Sequence, residues 1–232
     1  MANEQKKGFS TNSNAYTLIY AAVLVIVVAF LLAFCYSALN EKKVTNQRID
    51  KKSQILAAIN VVEDKANVEA AFEKYVKSDA IISADGSVVK EKGGFDADFN
   101  NSTAEGLPVY ICEVNGETKY IIPMTGKGLW GGIWGYLGLK SDKNTIDGIY
   151  FGHESETPGL GAEISTEKFQ SQFAGKHIKN AAGEAVSVAV LKKGKTAEGQ
   201  EQVDAVTGAT LTCNGVSAML GEAVNKYKNY LK

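Results

Sequence analysis

The spacing of hydrophobic positions changes along this chain, and each change predicts a different kind of structural element. From Leu18 to Tyr36, LIYAAVLVIVVAFLLAFCY contains nothing more polar than tyrosine, and no charge occurs between Lys7 and Glu41. A helix needs about 20 apolar residues to cross a bilayer, where it satisfies its own backbone hydrogen bonds. A cleaved signal peptide has a shorter apolar core of about 7–15 residues. We therefore predict a retained transmembrane helix over 16–39.

After the anchor, the spacing becomes that of amphipathic helices. EKKVTNQRIDKKSQILAAINVV predicts a helix that continues from the membrane, so 40–80 is read as a helical connection that leads into a soluble domain. A second helix, with Asp64 as its N-cap, is predicted to follow. Its apolar residues share one helical face: Val68, Ala71, Phe72, Tyr75 and Val76.

From residue 81 onward, the pattern changes to short apolar runs separated by turns. Asp85-Gly86 and Asn115-Gly116 each lie between apolar runs and predict hairpins, and further strands are expected around TIDGIYFG and AVSVAVL. The segment NGVSAMLGEAVNKYKNYL predicts a closing helix. The apolar stripe of that helix is assigned to the core: Val216, Met219, Leu220, Ala223, Val224 and Tyr227. The fold class is α+β, with one mixed, mostly antiparallel sheet and flanking helices over 81–232.

Composition narrows the possible functions. The 232 residues are 45% hydrophobic and 22% charged, which is ordinary for one globular domain with an appendage. A net charge of −1 gives no reason to expect nucleic acid as a partner. Two histidines and no CxxC argue against a metal site. Cys35, Cys112 and Cys213 are expected to be buried free thiols.

The stretch VDAVTGATLTCNG precedes the closing helix and has two interpretations. Gly208 and Ala209 leave the backbone open to a ligand, and Thr210 lies where a helix N-terminus would stabilise a phosphate. Alternatively, the threonines only build a turn and a cap, with Thr212 or Asn214 as the capping residue. Composition alone favours the cap.

Two further glycine-rich stretches have the same ambiguity. In ETPGLGAEI, a Pro-Gly turn presents Leu160 either to a flat ligand or merely at a connection between a strand and a helix. In GKGLWGGIWGYLGL, the aromatic residues Trp130, Trp134 and Tyr136 suit stacking on a planar ring, burial in a core, or docking to a partner or a membrane interface. No nucleophile–base pair, GxGxxG or P-loop is present, so a hydrolase is a poor interpretation.

Together, the three stretches resemble one family. DAVTGAT is similar to the flavinylation motif of the FMN-binding domain family: an Asp, two spacer residues, Ser or Thr, then Gly-Ala-Thr. ETPGLG resembles the second signature of that family. GKGLWG resembles the version in the C subunit of the sodium-translocating NADH:quinone oxidoreductase. Ala205 departs from the usual Gly or Ser after the motif aspartate, but it is also small, so the modification is expected to survive.

The resemblance implies a covalent cofactor. FMN would be joined through its phosphate to Thr210 by a separate flavin transferase that uses FAD, and the chain would hold no metal and no catalytic residue of its own. The expected FMN-binding residues come from the three stretches, with Lys192 added because basic charge precedes the motif: Asp204, Thr207, Gly208, Ala209, Leu211, Thr212, Glu156, Thr157, Gly159, Leu160, Gly161, Leu129, Trp130 and Lys192.

The resemblance also implies a function. The chain would carry electrons as part of a membrane complex that moves them from NADH towards ubiquinone or menaquinone and exports sodium. Its partners would be the other subunits of that complex. The alternatives are the G subunit of an Rnf-type ferredoxin:NAD oxidoreductase complex, and a membrane-anchored interaction domain without cofactor. GLWG favours the quinone reductase.

Membrane orientation is a separate expectation. The positive-inside rule alone would keep the large domain in the cytoplasm, because most basic residues near the anchor follow it. The resemblance implies the opposite for a protein of the bacterial inner membrane: a cytoplasmic tail over 1–15 and a periplasmic domain. We follow the resemblance, because a long domain translocates despite basic flanks. The basic residues that follow the anchor are Lys42, Lys43, Arg48, Lys51 and Lys52; those that precede it are Lys6 and Lys7.

Overall fold

The computed structural model describes residues 11, 13–97 and 106–232. Its first helix, α1, runs without a break over Asn14–Ala57, so the apolar run and the polar run after it form one element. Helix α1 is long and apolar enough to cross a membrane, and its most apolar stretch is not buried by protein. Cys35 lies exposed on this helix, so the expectation that it is buried in protein is wrong. The chain divides into Met1–Arg48 and Ile49–Lys232.

The second helix, α2, covers Val68–Tyr75 and starts later than the cap at Asp64 requires. The carbonyl of Asp64 accepts a hydrogen bond from the N–H of Asn67 at 2.8 Å, which closes a turn before the helix. Asn67 is the residue at the N-cap, and its side chain makes no capping hydrogen bond. The assignment of Asp64 as the cap is therefore wrong.

Among the described residues, six antiparallel strands form the main sheet in the order β2-β1-β3-β4-β5-β6. Both predicted hairpins are present. Asn115 and Gly116 have φ angles of 53° and 81° and join β3 to β4, as a tight two-residue turn requires. The α+β prediction is confirmed. The strands are β1 Val76–Ile82, β2 Val88–Lys90, β3 Leu107–Val114, β4 Glu117–Lys127, β5 Gly132–Leu139 and β6 Ile146–His153.

Shorter elements connect the sheet to the closing helix. After β6 come a 3₁₀ turn, a short helix and a second 3₁₀ turn, and then a parallel pair of strands, β7 and β8. Only the end of the predicted strand AVSVAVL is extended in that pair. The closing helix begins at Thr210, four residues before the predicted start. The bounds are Gly161–Ser165, α3 Glu167–Gln170, Ser171–Phe173, β7 Ala189–Leu191, β8 Gln202–Asp204 and α4 Thr210–Tyr227.

Each face of the main sheet carries its own core. One face packs against α4, whose whole predicted stripe is buried, and against the cluster of Phe151, Phe169 and Phe173. The other face packs Tyr110 and Tyr136 against the end of α1 and against α2. Cys213 is buried in the first core and Cys112 in the second, as expected, and burial raises the pKa of Cys112 to about 12. The two cores thus cover both faces of the sheet.

Gly138 on β5 lets the chain after α1 lie directly on the sheet. A Cβ at this position would overlap the carbonyl oxygen of Ala58, which is backbone and cannot swing away. We expect Gly138→Ala to lower the free energy of unfolding by about 2 kcal/mol, because overpacking of a tight core displaces backbone. Thermal unfolding of the full chain in detergent measures this loss. Gly132→Ala is the matched control on the same strand, because the nearest atom would lie 3.6 Å from its Cβ. Equal midpoints for the two variants would contradict the prediction.

Candidate functional site

The motif DAVTGAT forms the connection between β8 and α4. Asp204 ends the strand and Thr210 is the first residue of the helix. Between them, Thr207 and Gly208 form a turn in which Gly208 has a φ of 81°, a conformation that glycine adopts without strain. Ala209 is buried, whereas the Thr210 side chain is exposed. The turn thus presents the Thr210 hydroxyl at the start of α4, which packs in the core of Ile49–Lys232.

The N-terminus of α4 has no side-chain cap. Ala209 occupies the N-cap position, no acidic residue lies in the first turn, and the first bond to a helical N–H is from Cys213 to the Ala209 carbonyl at 2.9 Å. The N–H groups of Thr210, Leu211 and Thr212 have no acceptor among the described residues. Such unpaired groups and the helix dipole stabilise an anion.

The proposed capping roles of Thr212 and Asn214 are therefore wrong, because α4 starts before both. Asn214 lies exposed inside the helix. Thr212 is 1% exposed, and its hydroxyl donates a hydrogen bond to Glu156 Oε2 at 2.6 Å instead of capping the helix. Thr212 therefore links two motifs and does not cap the helix.

Glu156 joins the three sequence stretches. Its side chain is buried, and while Oε2 accepts from Thr212, Oε1 accepts from the backbone N–H of Trp130 at 2.8 Å. Its own N–H donates to His153 Nδ1 at 3.3 Å. One carboxylate thereby fixes the GKGLWG loop, the ETPGLG loop and the first turn of α4 to one another.

The carboxylate of Glu156 is held in its ionised form. Burial alone would raise its pKa, but hydrogen bonds from the Thr212 hydroxyl and from the backbone N–H groups of Trp130, Gly131 and Leu129 outweigh burial. The net effect is a pKa below the ordinary value of 4.5. A negative charge on Glu156 therefore lies beneath the GKGLWG loop at neutral pH.

Two glycines leave room for this carboxylate. A Cβ on Gly128 would collide with Oε1 of Glu156, and a Cβ on Gly161 would collide with Oε2. The Gly161 Cβ would also lie 2.6 Å from the Thr212 hydroxyl oxygen. Close packing around Glu156 thus explains a glycine in each of the two loops.

Four large hydrophobic side chains around the motif are exposed, and we call them the apolar patch. Leu129, Trp130, Leu160 and Leu211 are 49%, 67%, 42% and 59% exposed. Leu160 reaches the motif turn, since a Cβ on Gly208 would lie 2.8 Å from its Cδ2 atom. Exposed apolar side chains grouped in this way indicate a binding surface.

The other aromatic residues of GKGLWGGIWGYLGL have structural positions. Trp134 is half-buried, and its Nε1 donates to Gln54 Oε1 at 3.0 Å. Tyr136 is buried in the second core. Of the three aromatic residues singled out in that stretch, only Trp130 is available for a ligand.

Of the remaining predicted site residues, two lie in the ETPGLG loop and Lys192 lies outside the three stretches. Thr157 and Gly159 are exposed in the ETPGLG loop, where the carbonyl of Thr157 accepts from the Leu160 N–H at 3.1 Å. Lys192 is exposed in the turn after β7, and its carbonyl accepts from the Lys195 N–H. The structure thus groups the three stretches closely and places Lys192 one residue beyond the β7–β8 pair.

One residue at this site carried no signal in the sequence. Gln172 accepts a hydrogen bond from the Asp204 N–H at 2.9 Å, and its amide nitrogen donates to the Asp204 carbonyl at 3.3 Å. A glutamine 32 residues before its partner belongs to no recognisable spacing, so only the fold reveals this contact.

Comparisons with known proteins find a domain family that covers most of this site. Residues 128–225 match the FMN-binding domain family. The chain is 30% identical to the C subunit of the Na(+)-translocating NADH-quinone reductase of Pseudomonas aeruginosa, across 95% of this chain and 92% of that protein. It is also 30% identical to the corresponding C subunit of Vibrio anguillarum, across 86% of each.

Two solved structures have the same fold. The crystal structure of the Na(+)-translocating NADH-quinone reductase C subunit from Parabacteroides distasonis is 40% identical and superposes with a TM-score of 0.80, across 84% of this chain and 97% of that one. Shewanella oneidensis NqrC is 25% identical with a TM-score of 0.70, across 81% and 97%.

Proposed function

This chain belongs to the family of C subunits of the Na(+)-translocating NADH-quinone reductase, and we propose from this premise that it carries electrons through an FMN attached to Thr210. It is an FMN-binding component of an oxidoreductase complex, with the other subunits of that complex as partners. The electrons would pass from NADH towards ubiquinone or menaquinone, coupled to sodium export. Relatives that are C subunits of this reductase favour this function over the Rnf G subunit.

The observation that carries the proposal is the setting of Thr210. It presents an exposed hydroxyl at a helix start whose N–H groups at 210–212 have no acceptor among the described residues. A phosphoryl group bonded to Thr210 Oγ1 would bring its anionic oxygens next to those donors. The site therefore fits a phosphate-linked group and leaves no role for a capping side chain.

The surrounding residues fit the rest of FMN. Leu129, Trp130, Leu160 and Leu211 supply apolar contacts to the isoalloxazine ring, which carries one electron at a time when bound. Thr157, Gly159 and Thr207 lie at the rim. Glu156 and Thr212 lie beneath the site and hold its loops, and the other proposed contacts are Asp204, Gly208, Ala209, Gly161 and Lys192.

Attachment requires another enzyme. A threonine hydroxyl is a weak nucleophile without a base to activate it, and among the described residues Thr210 has no hydrogen-bonded base. We propose a flavin transferase that uses FAD. Thr210 Oγ1 bonds to the phosphorus on the flavin side, the pyrophosphate P–O bond breaks, AMP leaves, and the hydroxyl proton passes to a base of the transferase.

Helix α1 would anchor the chain in the bacterial inner membrane, with 49–232 in the periplasm. Its length and exposed apolar surface support the anchor. Protease added to spheroplasts would digest a periplasmic domain, whereas protection of this domain would contradict the orientation.

The test of the function is covalent flavin. The full chain is co-expressed with a flavin transferase, denatured and separated on a gel under ultraviolet light. We expect a fluorescent band, and digestion should map the flavin to the peptide that contains Thr210. A dark band would contradict the proposal and favour a cofactor-free interaction domain.

A further inference from the structure

Glu156 carries a buried charge that no cation compensates. Among the described residues, two charged residues are buried, Lys119 and Glu156, which are 8% and 4% exposed. Lys119 Nζ pairs with Asp147 Oδ2 at 2.6 Å, so these two opposite charges compensate each other. In the same part of the chain, Glu156 forms no ion pair. Burying a charge without a partner is costly, and such charges are concentrated at functional sites.

Neutral donors hold the carboxylate of Glu156 in place. Oε1 accepts from the Trp130 N–H at 2.8 Å, and Oε2 accepts from the Thr212 hydroxyl at 2.6 Å. The N–H groups of Leu129 and Gly131 add to them, and together these donors keep the pKa of Glu156 below its ordinary value. Neutral donors stabilise the negative charge but do not cancel it, so the charge is present at neutral pH.

This charge is located beside the backbone of all four residues of the apolar patch. Two of them, Leu129 and Trp130, donate backbone N–H groups to the carboxylate. The other two are Leu160 and Leu211, and the residue that follows each of them in the chain contacts a carboxylate oxygen of Glu156. The surface that suits a planar apolar ring is therefore built around one buried negative charge.

We infer that the charge of Glu156 lowers the potential at which FMN on this patch accepts its first electron, an inference that rests on the proposed attachment to Thr210. In that step one electron would leave a reduced carrier of the complex, which is oxidised, and enter the ring, with no bond made or broken. The ring would gain one negative charge. A fixed negative charge opposes this gain, and water shields it weakly because Glu156 is buried.

The competing interpretation is that Glu156 only fastens the loops together. Fastening requires hydrogen-bonding atoms in the right places, and a neutral amide of the same shape supplies them, since the Thr212 hydroxyl can turn to accept from it. An electrostatic effect requires the charge itself. A neutral residue of the same size at position 156 therefore separates the two interpretations.

The test is a spectroelectrochemical titration of the full chain, labelled by co-expression with a flavin transferase and purified in detergent. Glu156→Gln keeps the size of the side chain and removes its charge. We expect it to raise the equilibrium constant for the first electron about tenfold, a shift of about 59 mV to higher potential. Thr212→Val keeps the charge but removes one of its donors, so it should shift the potential the opposite way, by about twofold or about 18 mV.

Glu154→Gln is the matched control for the charge. It removes the same charge two residues earlier, from an exposed side chain. Water and dissolved ions screen an exposed charge, so the equilibrium constant should change by less than about twofold. Titration in concentrated salt gives a second check, because the shift caused by Glu156→Gln should persist there whereas any shift caused by Glu154→Gln should vanish.

Each outcome decides between these interpretations. A folded, labelled Glu156→Gln chain with the wild-type potential would show that Glu156 only fastens the loops, and an equal shift in Glu154→Gln would show that its burial has no effect. If Glu156→Gln takes up no flavin, Thr212→Val decides, and an unchanged or higher potential there would overturn the inference. A wild type that is never labelled contradicts the attachment to Thr210 itself, and the inference falls with it.

Discussion

Replacing Thr210 with alanine is expected to abolish covalent flavin, because no other hydroxyl begins helix α4. Thr207 is exposed but lies in the turn before the helix, and Thr212 is buried with its hydroxyl bound to Glu156. Gel fluorescence after denaturation measures the loss. The alanine variant should keep its thermal stability within about 0.5 kcal/mol, because an exposed side chain outside the core contributes little to folding.

Two matched variants make this result specific. Thr210→Ser keeps a hydroxyl at the same backbone position and should retain the label. Thr207→Ala keeps Thr210 and should be labelled as well. A fluorescent Thr210→Ala chain would show that another residue carries the flavin, and mass spectrometry of the digested chain would identify it.

Glu156→Ala is expected to lower the free energy of unfolding by about 3 kcal/mol. The substitution removes the acceptor for the buried Thr212 hydroxyl and for the backbone N–H of Trp130. A buried donor left without a partner costs about 1–3 kcal/mol, and the loss of the carboxylate also leaves a void between the loops. For a domain of this size, the midpoint of thermal unfolding should fall by roughly 6–12 °C. Circular dichroism of the full chain in detergent measures the shift.

Glu154→Ala is the matched control for this variant. Glu154 is exposed, and its Oε2 accepts a 3.2 Å bond from the Gly132 N–H, so its loss should cost about 0.5 kcal/mol or less. The pH dependence gives a second check. The folded pKa of Glu156 lies below 4.5, so its contribution is complete above that pH and is lost as the pH falls through the folded pKa. The stability difference between wild type and Glu156→Ala should therefore narrow in acid. A constant difference down to acid pH would contradict this role for Glu156.

Elements set by local pattern were predictable from the sequence. The stripe from Val216 to Tyr227 is buried as a set, and Asn115-Gly116 forms the turn between β3 and β4. Helical periodicity and turn chemistry depend on neighbouring residues, so one sequence is enough to read them. The long apolar helix was predictable for the same reason.

Contacts between distant segments were not predictable. Sequence reasoning treated Thr212 as a cap, whereas its hydroxyl binds a carboxylate 56 positions earlier. No pattern in the sequence indicated that Gln172 binds the backbone of Asp204. A side chain that makes the hydrogen bonds of a neighbouring strand follows no periodic pattern. The start of α4 was misplaced because Thr210, Leu211 and Thr212 resemble a loop locally, and tertiary contacts extend the helix through them. Which residues touch FMN stays a prediction.

Helix α4 would give a flavin bonded to Thr210 an immobile attachment point. Its first residue is Thr210, its middle is core, and at its far end the Tyr227 hydroxyl donates to the Pro108 carbonyl at 2.5 Å. A site built on a packed helix is held more firmly than one on a loop. In the proposed attachment, the backbone at Thr210 would be rigid, and only the threonine side chain and the ribityl chain of the flavin would rotate. Those few bonds limit how far the ring swings. If electrons must cross a longer gap within the complex, the whole domain would have to move with a cofactor attached in this way.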